Sequence, residues 1–263
     1  MHGLGNDFVV VDFNSNPNWI LTEQTAKQIC DRRFGIGADQ ILWLKPPHDS
    51  TLDSRMEIRN ADGSVAEMCG NGIRAVGLFL EKKKPNQAEY RIETLAGVKT
   101  VQKRGSNFRV NMGLAQLGKS FFPNGEEIKI RDQIFHFFEV NVGNPHAVIF
   151  VERDAQSFAE KFGPWIERHT RFPQRTNVEF VEIKQNGLIT ARVWERGAGL
   201  TLACGTGACA AAVASLALHK VDGKVIVDLP GGQLNIEWQG QQHPIWMEGP
   251  ATEVFHGSFT LSS

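Results

Sequence analysis

Five short motifs from the first half of the chain return, in the same order, in the second half. Gly5-Asn6-Asp7-Phe8-Val9-Val10-Val11 matches Gly143-Asn144-Pro145-His146-Ala147-Val148-Ile149. Arg59-Asn60-Ala61-Asp62-Gly63 falls against Trp194-Glu195-Arg196-Gly197-Ala198, and Cys69-Gly70-Asn71-Gly72 against Cys204-Gly205-Thr206-Gly207. Glu93-Thr94-Leu95-Ala96-Gly97 answers Val227-Asp228-Leu229-Pro230-Gly231, and Arg109-Val110-Asn111-Met112-Gly113 answers Ile245-Trp246-Met247-Glu248-Gly249. One match would be chance; five at nearly constant offset predict a duplicated domain. The first copy is residues 1–113, with 250–263 returning to complete it, and the second is 114–249. Two unrelated α/β domains of similar length would explain the lengths but not the paired Cys-Gly-x-Gly motifs.

Each copy reads mostly as short strands bounded by turn residues. The first offers Phe8–Phe13, Gln40–Leu44, Arg55–Arg59, Tyr90–Thr94 and Phe108–Met112; the second offers Ala147–Val151, Val178–Ile183, Thr190–Trp194, Lys224–Leu229 and Gln233–Trp238. Helices are expected after each cysteine motif, at Ile73–Lys83 and Ala208–His219. A further helix is expected over Thr22–Cys30 with Thr22 as its cap, and another over Ala155–Arg168, interrupted near Pro164. In the tail, Glu253-Val254-Phe255 and Phe259-Thr260-Leu261 read as strand material.

Charge excludes several function classes. Lys and Arg total 28 against 29 Asp and Glu, a near-neutral balance that argues against nucleic-acid binding. Lys82-Lys83-Lys84 is a solvated helix end. No apolar run reaches membrane-spanning length. The chain starts without a basic n-region or apolar h-region, so a cytoplasmic location is expected.

Cys30, Cys69, Cys204 and Cys209 are the four cysteines. Cys30 and Cys209 lie in apolar helical stretches and read as core. The spacing argues against zinc ligation, with no C-x₂-C pair and Cys204 and Cys209 five apart, so no metal is expected. Gly70-x-Gly72-x-x-Ala75 and Gly205-x-Gly207-x-x-Ala210 fit a dinucleotide turn, but neither follows a continuous apolar strand. Cys69 and Cys204 each open a helix, where backbone N–H groups attract an anion and lower a thiol's pKa. Two matched thiols, one per copy, suit inversion of a stereocentre: one removes a proton from one face and the other returns a proton to the opposite face. The helix starts would hold the neighbouring carboxylate. No lysine motif for pyridoxal phosphate stands out, and no cofactor is expected.

His2-Gly3-Leu4-Gly5-Asn6-Asp7-Phe8, Met68-Cys69-Gly70-Asn71-Gly72-Ile73-Arg74, Gly143-Asn144-Pro145-His146, Glu195-Arg196-Gly197-Ala198-Gly199, Cys204-Gly205-Thr206-Gly207-Ala208-Cys209-Ala210 and Leu229-Pro230-Gly231-Gly232 together resemble the diaminopimelate epimerase family. The resemblance covers essentially the whole chain. It implies an α+β fold of two pseudo-symmetric domains, each a β-barrel-like sheet around a central helix. It also implies interconversion of LL- and meso-diaminopimelate without pyridoxal phosphate, in lysine and cell-wall precursor synthesis.

By that resemblance Cys69 and Cys204 are the catalytic thiols, and Gly70, Asn71, Gly205 and Thr206 hold the reacting carboxylate. Asn6, Gln40, Asn60, Asn144 and Asn177 match substrate contacts, against a plainer reading as loop asparagines in Asx turns. Glu195 and Arg196 match the distal amino-acid end, with Arg196 pairing the second carboxylate; taken alone they would be a surface pair. His146 and Glu195 are expected to assist the thiols, His146 at Cys69 and Glu195 at Cys204. The expected partner is the small-molecule substrate, and Phe255 stands near a position relatives use in a homodimer contact. Relatives usually carry a few more residues that start the first strand, so either a lost edge strand that destabilises the first domain or a late start is expected. The proline racemases share the paired-thiol plan but carry His where Asn71 stands. A nucleotide-binding protein using the glycine turns is the non-enzymatic alternative.

Overall fold

The computed structural model describes residues 1–15, 17–185 and 187–261. The chain divides into two compact units: Met1–Val110 with Gly249–Ser263, and Asn111–Glu248. Ser262 and Ser263, at the end of the expected 250–263 return, lie outside the described residues.

The first unit is built on β1 (His2–Gly3), β2 (Asn6–Asp12), β3 (Gln40–Lys45), β4 (Ser54–Asn60), β5 (Val65–Ala66), β6 (Glu89–Thr94), β7 (Gly97–Arg104) and β8 (Asn107–Leu114), the last running on past Val110. The second holds β9 (Gln116–Leu117), β10 (Glu126–Ile130), β11 (Gln133–Asn141), β12 (Pro145–Phe150), β13 (Asn177–Ile183), β14 (Leu188–Glu195), β15 (Gly199–Leu200), β16 (Val225–Leu229), β17 (Gly232–Glu237) and most of β18 (Pro244–Pro250). Helices α1 (Glu23–Cys30) and α2 (Gly70–Lys83) belong to the first unit, and α3 (Ala155–Glu167) and α4 (Gly205–Ala217) to the second.

The two sheets share one pairing plan. In the first unit β2 pairs β3 in parallel, β3 pairs β4 antiparallel, β4 pairs β6 in parallel, and β6–β7 and β7–β8 are antiparallel. In the second, β12–β13, β13–β14, β14–β16, β16–β17 and β17–β18 repeat that order of parallel and antiparallel pairs. The registers also correspond: Phe8 faces Gln40 in one unit, and His146 faces Asn177 in the other.

Each sheet encloses a helix that starts at a cysteine. In α4, Ala208, Cys209, Ala210, Ala211, Ala212, Val213 and Ala214 are fully buried, so the helix is apolar all round. That is the composition of a helix packed on every side, and small alanines let it fit inside the sheet. Helix α2 buries Ile73, Ala75 and Val76 completely. Helix α1 is capped as expected: the Thr22 hydroxyl accepts from Thr25 N, and the Thr25 hydroxyl accepts from Thr22 N, which closes a capping box. Phe135, Phe162 and Phe180 anchor the core between α3 and its sheet.

Three element expectations are corrected. Helix α3 continues through Pro164 to Glu167, held by burial of Phe162 and Ile166 on either side of it. The tail forms no strand at Glu253–Phe255 or Phe259–Leu261; among the described residues Thr252 pairs with His2 through two backbone hydrogen bonds. The β10–β11 hairpin is not signalled in the sequence, because Arg131 occupies the left-handed turn position (φ 56°) where Gly or Asn would mark it.

Candidate active site

Cys69 and Cys204 occupy the same place in their units: each is the N-cap of the enclosed helix in extended backbone. Each sulfur accepts from the amide three residues on, Gly72 N to Cys69 Sγ and Gly207 N to Cys204 Sγ, both at 3.3 Å. A side chain usually caps a helix through oxygen; here a thiol holds the position, so the helix start acts directly on sulfur. Both glycines sit where a side chain would be tight. A Cβ at Gly72 would stand 3.1 Å from Leu42 and 3.3 Å from Cys69, and one at Gly207 would stand 3.0 Å from Glu179 Oε1 and 3.2 Å from Cys204 Sγ.

Around Cys69 the neighbours are amides. Cys69 Sγ donates to Asn6 Oδ1 at 3.6 Å, and Asn71 Nδ2 donates to the same oxygen at 3.2 Å. Asn6 Nδ2 donates to Asp39 Oδ2 at 2.8 Å, and Asp39 shares Arg32 with Asp7. Arg74 is fully buried and donates to Asn71 Oδ1 and to the Gly70 carbonyl. It thereby fixes the first turn of α2. Gln40 and Asn60 meet across β3 and β4, with Gln40 Nε2 donating to Asn60 Oδ1 at 2.8 Å. Gln40 Oε1 is buried without a hydrogen-bond partner.

Around Cys204 the neighbours are ionisable. His146 is fully buried; its Nδ1 meets Glu179 Oε1 at 2.7 Å and its Nε2 meets Asn144 Oδ1 at 2.9 Å. Asn144 Nδ2 donates to the Thr206 hydroxyl at 3.4 Å, and that hydroxyl lies 3.6 Å from Cys204 Sγ. The Glu195 carboxylate accepts from the Thr201 hydroxyl and from the Cys204 thiol. Burial holds its carboxyl above the ordinary range, against the pull of those two donors. Burial, then the charges of Glu195 and Glu179, push the Cys204 thiol well up; the Thr206 hydroxyl and Gly207 N–H oppose them. The lowered thiol pKa expected at a helix start is therefore reversed at Cys204, where desolvation outweighs the helix.

Asn177 places both ends of its amide on backbone, donating to Pro145 O and accepting from Arg196 N. Arg196 is exposed, with Nη1 on the Gln174 carbonyl at 3.4 Å. Buried Glu167 steadies the same turn, accepting from Gly197 N and Trp194 Nε1, both at 2.9 Å. Cys30 and Cys209 are buried, and burial, then Asp39 and Asp7, push Cys30 to about 11. Neither glycine turn follows a central parallel strand: α2 comes after the two-residue β5 and α4 after the two-residue β15.

Sequence reading missed Glu179, Asp39 and Glu167. A signal for Glu179 was available: it stands two residues after Asn177, as Leu42 stands two residues after Gln40. A carboxylate at a position where the copy holds leucine marks chemistry rather than packing.

The model of the diaminopimelate epimerase family matches residues 1–118 and 138–254. A diaminopimelate epimerase of Carboxydothermus hydrogenoformans is 47% identical over 272 residues, covering 99% of this chain and 98% of its own. One from Nostoc punctiforme is 44% identical over 270 residues, covering 97% of this chain and 96% of its own. The fold resembles that of a phenazine biosynthesis protein of the PhzF family from Bacillus anthracis, at a TM-score of 0.69, 14% identity and coverage of 95% and 92%. On full-length identity above two fifths and a matching family model, the chain belongs to the diaminopimelate epimerase family.

Proposed function

We propose that the chain interconverts LL- and meso-2,6-diaminopimelate by two-thiol proton transfer, without a cofactor. The observation that carries this reading is the duplicated cysteine cap, a thiol at the start of each enclosed helix. In one direction Cys69 as thiolate takes the α-proton and Cys204 as thiol donates one from the other face. In the reverse direction the roles exchange. Each sulfur ends a turnover in the protonation state the other began with, so no net proton is gained.

The carbanion-like state at the α-carbon places charge on the adjacent carboxylate. Gly70, Asn71, Gly205 and Thr206 stand at the two helix starts, where backbone dipoles favour that charge. Asn6 and Asn144, next to the thiols in their own units, are the proposed contacts near the reacting centre, with Gln40, Asn60 and Asn177 as further substrate contacts. The free Gln40 Oε1 supplies an acceptor for a substrate ammonium. Arg196 takes the distal carboxylate as a charge-assisted pair. Glu195 assists Cys204, supported by its hydrogen bond from that thiol. His146 is the proposed assistant of Cys69, and His146→Ala is expected to slow α-proton abstraction. Unchanged abstraction in both directions would remove that role.

The proposed role is in lysine and peptidoglycan precursor synthesis, in the cytoplasm. Among the described residues no helix is long and apolar enough to cross a membrane. A homodimer is proposed on the exposed Val254 and Phe255 (62% and 65%), to be checked by sedimentation equilibrium. Thiols that share one carbon are close enough to join as a disulfide. Mild oxidation is therefore expected to abolish epimerisation and reductant to restore it; full activity in the oxidised protein would contradict the two-thiol reading.

A further inference from the structure

The duplication breaks at one buried pair. Where the first unit packs Phe8 beside the strand carrying Leu42, the second holds His146 against Glu179, each with a side chain of 0% exposure. Leu42 and Glu179 are equivalent by contact as well as by register, since they are the nearest groups to Gly72 and Gly207. An apolar pair would have satisfied packing at this place, as the first unit demonstrates. Burying a carboxylate and an imidazole instead costs desolvation that apolar side chains avoid. Glu179 Oε2 bears that cost openly: it is buried with no hydrogen-bond partner.

From Glu179 a continuous relay runs to sulfur through His146, Asn144 and Thr206, at 2.7, 2.9, 3.4 and 3.6 Å. Its direction follows from donor and acceptor chemistry. Asn144 Oδ1 faces His146 Nε2, so that nitrogen carries a proton. Nδ1 and the Glu179 carboxylate share another, which makes the pair neutral overall. Asn144 is left with its NH₂ toward Thr206, and the Thr206 hydroxyl, receiving there, has its own proton free for Cys204. The first unit has the opposite polarity. Asn6 turns its NH₂ to Asp39 and its oxygen to the sulfur, so Cys69 faces an acceptor.

We propose that Glu179 is a positioning residue for the second thiol, fixing through His146 and Asn144 the direction in which the Thr206 hydroxyl donates to Cys204. The effect is to support the Cys204 thiolate at the stage when it carries charge in a buried place. This rests on the two-thiol reading for its catalytic consequence, but the relay itself is readable without substrate. Glu179→Leu takes away the group that holds Nδ1 and leaves the ring and Asn144 free to turn, whereas the NH₂ of a glutamine can donate to Nδ1 and keep Nε2 protonated toward Asn144.

The test is Glu179→Leu, with Glu179→Gln as the conservative control. Nitrogen-15 NMR of histidine-labelled protein should show Nε2 of His146 protonated in the parent and in Glu179→Gln, and a mixture of ring tautomers in Glu179→Leu. Alkylation by iodoacetamide, followed by mass spectrometry, should slow about 10-fold at Cys204 in Glu179→Leu and stay within twofold at Cys69, the size of one hydrogen bond to a charged group. Epimerase kcat should fall about 10- to 100-fold in Glu179→Leu with KM within twofold, and Glu179→Gln should restore most of the loss. Thr206→Val, which leaves the buried pair intact, should slow Cys204 in the same way. In that background Glu179→Leu should add less than twofold. Equal slowing of both cysteines, equal slowing by Leu and Gln, or full additivity of Glu179→Leu with Thr206→Val would overturn the proposal. Absence of epimerase activity in the parent would refute the two-thiol function instead, leaving the NMR and alkylation results to judge the relay.

Discussion

The two cysteine caps are copies in backbone and in the amide that each sulfur accepts from, and differ in the side chains around them. Cys69 donates to the Asn6 amide oxygen, which also receives Asn71, itself held by buried Arg74. Cys204 is buried beside Glu195 and the His146–Glu179 pair. Duplication preserved the parts that place sulfur at a helix start: the cap, the glycine three residues on and the strand register. It did not preserve the side chains behind them. Two caps of one backbone plan therefore hold their sulfurs in different surroundings.

The largest expected effect removes the shared feature. Cys69→Ala and Cys204→Ala should each lower epimerisation by at least about 10³-fold, within the range for losing a general acid or base. An activity loss confined to one of them would break the equivalence of the two caps. Glu195→Gln should cost about 10²-fold, and Asn60→Ala, its counterpart in the first unit, no more than about 10-fold in kcat. Equal losses would erase the distinction between an ionisable and an amide half-site.

The glycines sharpen the comparison further. Gly207→Ala brings a methyl to 3.0 Å from the Glu179 carboxylate and 3.2 Å from Cys204 Sγ, whereas Gly72→Ala meets the movable end of Leu42 at 3.1 Å. Activity should therefore fall about 10-fold more for Gly207→Ala, while thermal unfolding shifts by comparable amounts in both.

The smallest effect lies outside both half-sites. Burial raises the Asp53 carboxyl, but Lys84, the Arg91 amide and Gln87 outweigh it and leave the pKa below the ordinary value. A depressed folded pKa gives stability that is present above the unfolded value and lost as pH falls through the folded one. Asp53→Ala should therefore lower stability by about 1 kcal/mol near neutrality, measured by urea unfolding. The deficit should shrink as pH drops below the unfolded carboxylate pKa, with activity at neutral pH unchanged.

Much of this arrangement was legible in the residues. The repeated motifs marked both helix starts and their thiols, because a Cys-Gly-x-Gly run needs local backbone geometry that short sequence records. Asn6, Asn144 and Thr206 came from the family resemblance as substrate-binding residues, and their position near the sulfurs is read from the fold. Glu179 was not legible alone, since its role depends on β12 and β13 pairing in parallel so that it comes within reach of His146. The reversed pKa at Cys204 was equally hidden: helix starts are visible in sequence, but the depth at which a strand buries them is not. Arg131 in a left-handed turn concealed the β10–β11 hairpin by filling a glycine's position without the glycine.

The claim that one thiol removes a proton and the other returns it is tested most directly by the fate of the α-hydrogen. LL-diaminopimelate incubated with the protein in D₂O should give meso product carrying deuterium at the inverted carbon from the first turnovers, while unreacted LL substrate stays free of deuterium. Meso product retaining its original hydrogen, or LL substrate gaining deuterium as fast as product forms, would contradict the account.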